Sequence, residues 1–101
     1  MIHNGGQVTY ENKGDTLLIR VRGEIDHHSA LYVREAIDAE IFSKRPKKLI
    51  LELSQVGFMD SSGLGLIMGR YALMQKLGGG FSVANPNERV MKIFDLAGLG
   101  R

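Results

Sequence analysis

The run "KLILELSQVGFMDSSGLGLIMGRY", Lys48 to Tyr71, passes from a strand pattern to a helix pattern, and the fold class follows from that passage. In "KLILEL", Leu49, Leu51 and Leu53 share one face at the two-residue period of a strand, while Ile50 on the other face argues for a central position. The strand is expected to end at Leu53, with a short loop carrying Phe58 inward. Beyond it, Leu64, Ile67, Met68, Tyr71 and Met74 mark the expected buried side of a helix reaching about Leu77. "GGG", Gly78 to Gly80, then stops the helix, as glycine does at helix C-termini.

Working outward, "TLLIRVRG", Thr16 to Gly23, alternates Leu17, Ile19 and Val21 against Leu18, Arg20 and Arg22. Val8 and Tyr10 suggest an antiparallel partner across a hairpin in "ENKGD". From Ser29 to about Ile41 the apolar positions Ala30, Val33, Ala36, Ile37 and Ile41 return at helical spacing, with Ser29 as N-cap and Pro46 closing the region. "FSVA" gives a fourth strand, and Glu88 to Leu96 a short helix with Val90, Ile93 and Phe94 inward. Strands joined through helices pair in parallel by right-handed crossovers. The expected fold is therefore α/β, a single domain over residues 1–101, with a mixed four-stranded sheet and helices mainly on one face. The other face is left partly wet.

Composition limits the function. One hundred and one residues, 44% hydrophobic and 24% charged, are those of one soluble globular domain. With no cysteine there is neither a disulfide framework nor a thiolate metal site, which fits a cytoplasmic setting. "MIHNGGQVTY" lacks the basic and apolar regions of a leader, and no apolar run approaches the roughly 20 residues of a membrane span. The net charge of +2 comes largely from Lys44, Arg45, Lys47 and Lys48 around Pro46. Without interleaved aromatics this cluster reads as a solvated connector near a helix C-terminus, so neither nucleic acid nor membrane is an expected partner.

Chemistry concentrates in "MDSSG". Asp60, Ser61 and Ser62 fall on the first helical turn, where orphan N–H groups and the helix dipole favour negative charge. A simple N-cap explains one of these residues. It does not explain Gly63, Gly65 and Gly69, each costing a helix about 0.8 to 1 kcal/mol relative to alanine. Close packing of the helix against the sheet or against a visiting protein explains them better. The spacing is not the Gly-x-Ser-x-Gly elbow of hydrolases, and no activating base is in view. Nor is it a dinucleotide fingerprint or a P-loop. His27 and His28 lack the further ligands of a metal site and read as polar surface or capping. No cofactor is called for.

Two segments, "GEIDHHSA" (Gly23 to Ala30) and "FMDSSGLGLIMGRY" (Phe58 to Tyr71), with Gly79, Gly80 and "IFDLAGL" (Ile93 to Leu99) behind them, carry a family likeness. The chain resembles the STAS-domain anti-anti-sigma factors, above all those that serve sporulation. The resemblance implies a binding switch rather than an enzyme. Its partner is an anti-sigma factor that is also an ATP-dependent serine kinase, and a serine phosphatase resets the switch. By its place directly after the aspartate, Ser61 matches the phosphoacceptor. Asp26, Asp60, Ser62, Gly63 and Gly65 fall on the partner-binding positions around it. The same likeness also allows a nucleotide- or small-anion-binding regulatory domain. The chain stops at "GLGR", Gly98 to Arg101, before the further strand and helix of such relatives. An exposed sheet edge or an uncovered apolar patch is the expectation there.

Overall fold

The computed structural model describes residues 7–96, so the first ten residues are seen only from Gln7 and "IFDLAGL" only as far as Leu96; the remainder of both, with the chain end at "GLGR", lies outside the described residues. The elements are β1 (Gln7–Lys13), β2 (Thr16–Ile25), α1 (Ala30–Lys44), β3 (Lys48–Met59), α2 (Ser61–Lys76), β4 (Gly80–Ala84) and α3 (Glu88–Leu96). Their sheet has the order β1-β2-β3-β4. β1 and β2 are antiparallel, joined through Gly14 at φ 62° and Asp15, where a positive φ suits glycine. β2–β3 and β3–β4 are parallel, each crossing through a helix, and the apolar β3 is central as its two-sided pattern implies.

Register places Leu17 beside Leu49 and Ile19 beside Leu51 on one face, with Leu18 beside Ile50 and Arg20 beside Glu52 on the other. Leu17, Ile19, Val21, Leu49, Leu51 and Leu53 are all buried, whereas Arg20 and Arg22 are exposed and Leu18 and Ile50 are half-buried. The core thus lies between one sheet face and the helices, through Val33, Ile37 and Ile41 of α1, Leu66, Ile67 and Met74 of α2, and Val90 and Phe94 of α3. Each fully buried aliphatic side chain contributes about 1.5–3 kcal/mol of transfer free energy. The open face carries an ion pair from Arg20 to Glu11, 3.1 Å, and hydrogen bonds from Ser54 and Asn85 to Glu52.

Three details depart from the sequence reading. First, β3 does not end at Leu53 but continues to Met59. Between the pairs Arg20–Glu52 and Arg22–Gln55, β3 advances three residues while β2 advances two, and between Gly23–Val56 and Glu24–Phe58 it again gains one. These bulges change the inward spacing from two to three, so Leu53 is followed inward by Val56 and Met59. Phe58 consequently points outward, 38% exposed, rather than inward.

Second, the buried side of α2 is Gly63, Leu66, Ile67, Arg70 and Met74. Met68 and Tyr71, expected inside, are about half exposed, and Leu64 is half-buried. "GLGLIMGRYALM" is apolar nearly all round, so its period fits more than one stripe, and the choice is made by a glycine and an arginine. Arg70 is buried against α1, its Nε 3.0 Å from Asp38 Oδ1. The alignment is outside hydrogen-bond geometry, which makes this contact a charge pair. Burial pulls the Arg70 guanidinium below its usual range, Asp38 opposes that and Arg34 reinforces it.

Third, α1 runs past Ile41 to Lys44; Arg45 N–H still makes the helical bond to Ile41 O, 2.9 Å, and the left-handed backbone of Arg45 (φ 48°) then turns the chain out of the helix. The end of α2 is tied down by Gly79, whose N–H donates to Met74 O at 2.8 Å and where a Cβ would lie 2.9 Å from Lys47 O.

Removing one partner of the Arg70–Asp38 pair strands a partly buried charge. Asp38→Ala, which leaves the more buried Arg70 unpaired, should destabilise the domain by about 2–4 kcal/mol in urea unfolding, more than Arg70→Met, which leaves the better-hydrated Asp38. Equal costs for the two variants would contradict a pair whose burial falls mainly on the arginine.

Candidate functional site

The two segments singled out by sequence meet at the C-terminal ends of β2 and β3. Ile25 pairs with Met59, so Asp26 and Asp60 leave adjacent parallel strands at the same level, and Asp60 N–H donates to Ile25 O at 3.2 Å. In open α/β sheets this end, where strands pass into helices, is where ligands and partners bind.

Asp60 is the N-cap of α2: its backbone is extended (φ −108°, ψ −166°) and its Oδ1 accepts from Ser62 N–H, 2.8 Å. Its carbonyl takes Gly63 N–H and Leu64 N–H. Asp60 therefore stands just ahead of the helix, with Ser61 as the first helical residue. Ser61 is exposed and Ser62 half-buried. Among the described residues the Ser61 hydroxyl has no hydrogen-bond partner, so it is free to react or to be recognised.

The Asp26 loop is built differently from expectation. Ser29 occupies the N-cap position of α1, yet its hydroxyl does not cap the helix. Ser29 is fully buried, and its Oγ donates to Glu24 O at 2.8 Å and accepts from Asp26 N–H at 3.2 Å, pinning the chain as it leaves β2. The capping acceptor is instead the Asp26 carboxylate, which receives His28 N–H at 2.9 Å and Ser29 N–H at 3.1 Å. The Ser29 N–H, above all, holds the Asp26 carboxyl below the usual aspartate value; desolvation opposes this, and His28 adds to it through its N–H and its charge. His27 and His28 are exposed, their rings 3.9 Å apart. Among the described residues no group of acidic and histidine side chains is placed to hold a metal ion.

The glycines divide. Of the two readings of the glycines, packing against the sheet or room for a visitor, Gly63 follows the first: it is buried, and a Cβ there would strike the Met59 side chain and lie 3.0 Å from Ile25 O. Its missing side chain lets α2 sit on the joined ends of β2 and β3. Gly65 is exposed and has nothing within 4 Å of where a Cβ would be, as has Gly69. Gly65 alone of the two predicted partner-binding glycines leaves open surface. What sequence reasoning missed is Ser29, taken for an ordinary cap. Its place three residues after an aspartate, itself a helix-start signal, was the available clue.

With that geometry in view, comparison with known proteins identifies the class. A STAS domain family model matches residues 7–101. The chain belongs to the STAS domain family, and the four-stranded mixed sheet with three helices is its fold. An anti-sigma F factor antagonist of Paenibacillus polymyxa is 39% identical over 93 residues, 92% of this chain and 80% of that protein. The unphosphorylated form of the anti-sigma factor antagonist SpoIIAA superposes with a TM-score of 0.81 at 35% identity, covering 93% of this chain and 83% of that one. The phosphorylated form of the Bacillus cell fate determinant SpoIIAA gives 0.74 at 34% identity, covering 93% and 86%. Among the described residues no helix is long and apolar enough to cross a membrane.

Gly63→Ala should lower stability by about 1–3 kcal/mol through overpacking, while Gly65→Ala should be neutral or stabilise by up to about 1 kcal/mol, both read by thermal unfolding. Similar losses at both would show that the open space at Gly65 is not there in solution.

Because its folded pKa is lowered, the Asp26 charge stabilises the fold above the unfolded value of about 3.8 and ceases to do so as pH falls through the lower folded value. Asp26→Asn, which keeps a carbonyl acceptor, should therefore be less stable than the parent at pH 7, with the gap closing in acid. A gap that is constant with pH would remove the charge from this account.

Proposed function

We propose that this chain is an anti-sigma factor antagonist whose affinity for its partner is set by a phosphate on Ser61. The observation that carries the reading is the exposed, unengaged Ser61 hydroxyl at the first position of α2, flanked by the Asp60 cap and by the Asp26 loop on the next strand. The relatives' names, and a relative of the same fold solved with and without phosphate, support it.

In this reading the unmodified corner docks on an anti-sigma factor that is also a serine kinase, and a sigma factor is released to direct transcription, in sporulation by the kinship with F-type antagonists. The Ser61 oxygen attacks the γ-phosphorus of ATP bound to the partner, ADP leaves, and the hydroxyl proton passes to base or solvent. A cytoplasmic serine phosphatase restores the hydroxyl. The chain itself acts as substrate and ligand, not as an enzyme.

Phosphate adds about −1.5 to −2 charges at a helix N-terminus, where the dipole tolerates them, so the domain has little reason to refold. Its partner meets a third anionic group beside Asp26 and Asp60. Like charges pressed together across a dry interface cost several kcal/mol, and every 1.4 kcal/mol is tenfold in affinity. The alternative of a small-anion site at the same helix end fits less well. Asp60 already takes the Ser62 N–H, and an incoming anion would face two carboxylates.

Incubation with an anti-sigma factor kinase of the F type and ATP should add one phosphate, located at Ser61 by mass spectrometry. Ser61→Ala should bind the kinase like the parent and take no phosphate; Ser61→Asp should bind at least about tenfold more weakly with an unchanged circular dichroism spectrum. Full phosphorylation of Ser61→Ala at Ser62 would move the site, and undiminished binding of Ser61→Asp would end the charge mechanism.

A further inference from the structure

The end of the domain opposite Ser61 is a cationic pole, and we propose that it docks on the surface of an anionic phospholipid bilayer. The sequence reading treated Lys44, Arg45, Lys47 and Lys48 as a solvated connector. The fold adds two more cations to them. The hairpin loop is held against the start of β3 by Lys47 N–H and Lys48 N–H, which donate to Asp15 O at 2.8 and 3.2 Å, so Lys13 is brought to the same end. Gly80 N–H donates to Lys47 O at 2.8 Å, which brings the end of α2, with Lys76 in its last turn, alongside.

All six cations are exposed. Only Lys13 has a carboxylate within ion-pair reach among the described residues, Glu11 at 3.8 Å; Lys44, Arg45, Lys47, Lys48 and Lys76 have none. The acids on the segments forming this end are Glu11, which is also engaged by Arg20, the exposed Asp15 and the half-buried Glu40. The C-termini of α1 and α2 both end here, so their dipoles account for Lys44 and Lys76 as local neutralisers but not for the loop cations.

Lipid is favoured over nucleic acid by the apolar groups at the same pole. Phe42 is 49% exposed, with Arg45 Nε bonded back to its carbonyl at 3.3 Å, and Leu77, 41% exposed, follows Lys76. Cations ringed with a large exposed aromatic and a leucine suit an interface where headgroup meets acyl chain. The cations sit on loops and helix ends, not along one helix or groove that would follow a phosphate backbone. β2 and β3 run from this pole to Asp26 and Asp60, so a domain docked on a bilayer would present Ser61 away from it.

The test is co-sedimentation of the full chain with vesicles of phosphatidylglycerol and phosphatidylcholine, against vesicles of phosphatidylcholine alone. The proposal expects binding to the anionic vesicles only, weakened about tenfold or more between about 50 mM and about 500 mM salt. The exposed pair Lys47→Glu with Lys48→Glu should abolish it, and Phe42→Ala should reduce it severalfold with the salt dependence retained. Lys44→Glu should also weaken binding, and serves if the double variant unfolds. Ser61→Ala should bind vesicles like the parent, which separates this result from the fate of the switch. Absence of binding to anionic vesicles, survival of binding in the folded charge-reversed variants, or tighter binding to duplex DNA than to vesicles would overturn the proposal.

Discussion

The structure depends on how the ends of β2 and β3 are locked together under the start of α2. Ile25 and Met59 pair across the sheet, Asp60 N–H closes onto Ile25 O, and Gly63 rests where no larger residue fits against either. This contact fixes the angle at which α2 leaves the sheet. It also brings the Asp26 loop and the Asp60-Ser61 corner, thirty-odd residues apart in the chain, to one place. Without it there would be a capped helix and a polar loop, each unremarkable, and no shared surface.

Around that lock, each loop is held by its own short polar network. Asp60 serves α2, Asp26 caps the entry to α1, and the buried Ser29 hydroxyl ties Asp26 N–H to Glu24 O. Both carboxylates are thus oriented by backbone N–H groups before any partner arrives. A pre-set pair of charges binds at a smaller ordering cost than a mobile pair. The corner is therefore organised by the fold, while the Ser61 hydroxyl within it has no internal partner among the described residues.

The element order, the mixed sheet, the central β3 and the helix start at Asp60 were legible because strand alternation, glycine stops and a helix-start aspartate are local signals. Other features were hidden for definite reasons. Bulges moved the inward residues of β3 from Leu53 to Val56 and Met59, which no strict alternation reveals. The face of α2 was ambiguous because Leu64, Met68 and Tyr71 are as apolar as Leu66 and Ile67, and the stripe was decided by Gly63 and by Arg70 reaching Asp38. The gathering of Lys13 and Lys76 with the Pro46 cluster required strand register, since those residues are distant in sequence.

The bulged half of β3 has an implication for how such chains diverge in length. Ser54 to Phe58 contains two more residues than regular pairing with β2 needs, and these extra positions sit on a stretch largely open to water. Loss of a single residue there would straighten one bulge and still deliver Met59 and Asp60 to Ile25, so shortening is absorbed where it occurs. A deletion on the other side of the lock, inside the first turn of α2, has no such slack and would rotate the helix by about 100°.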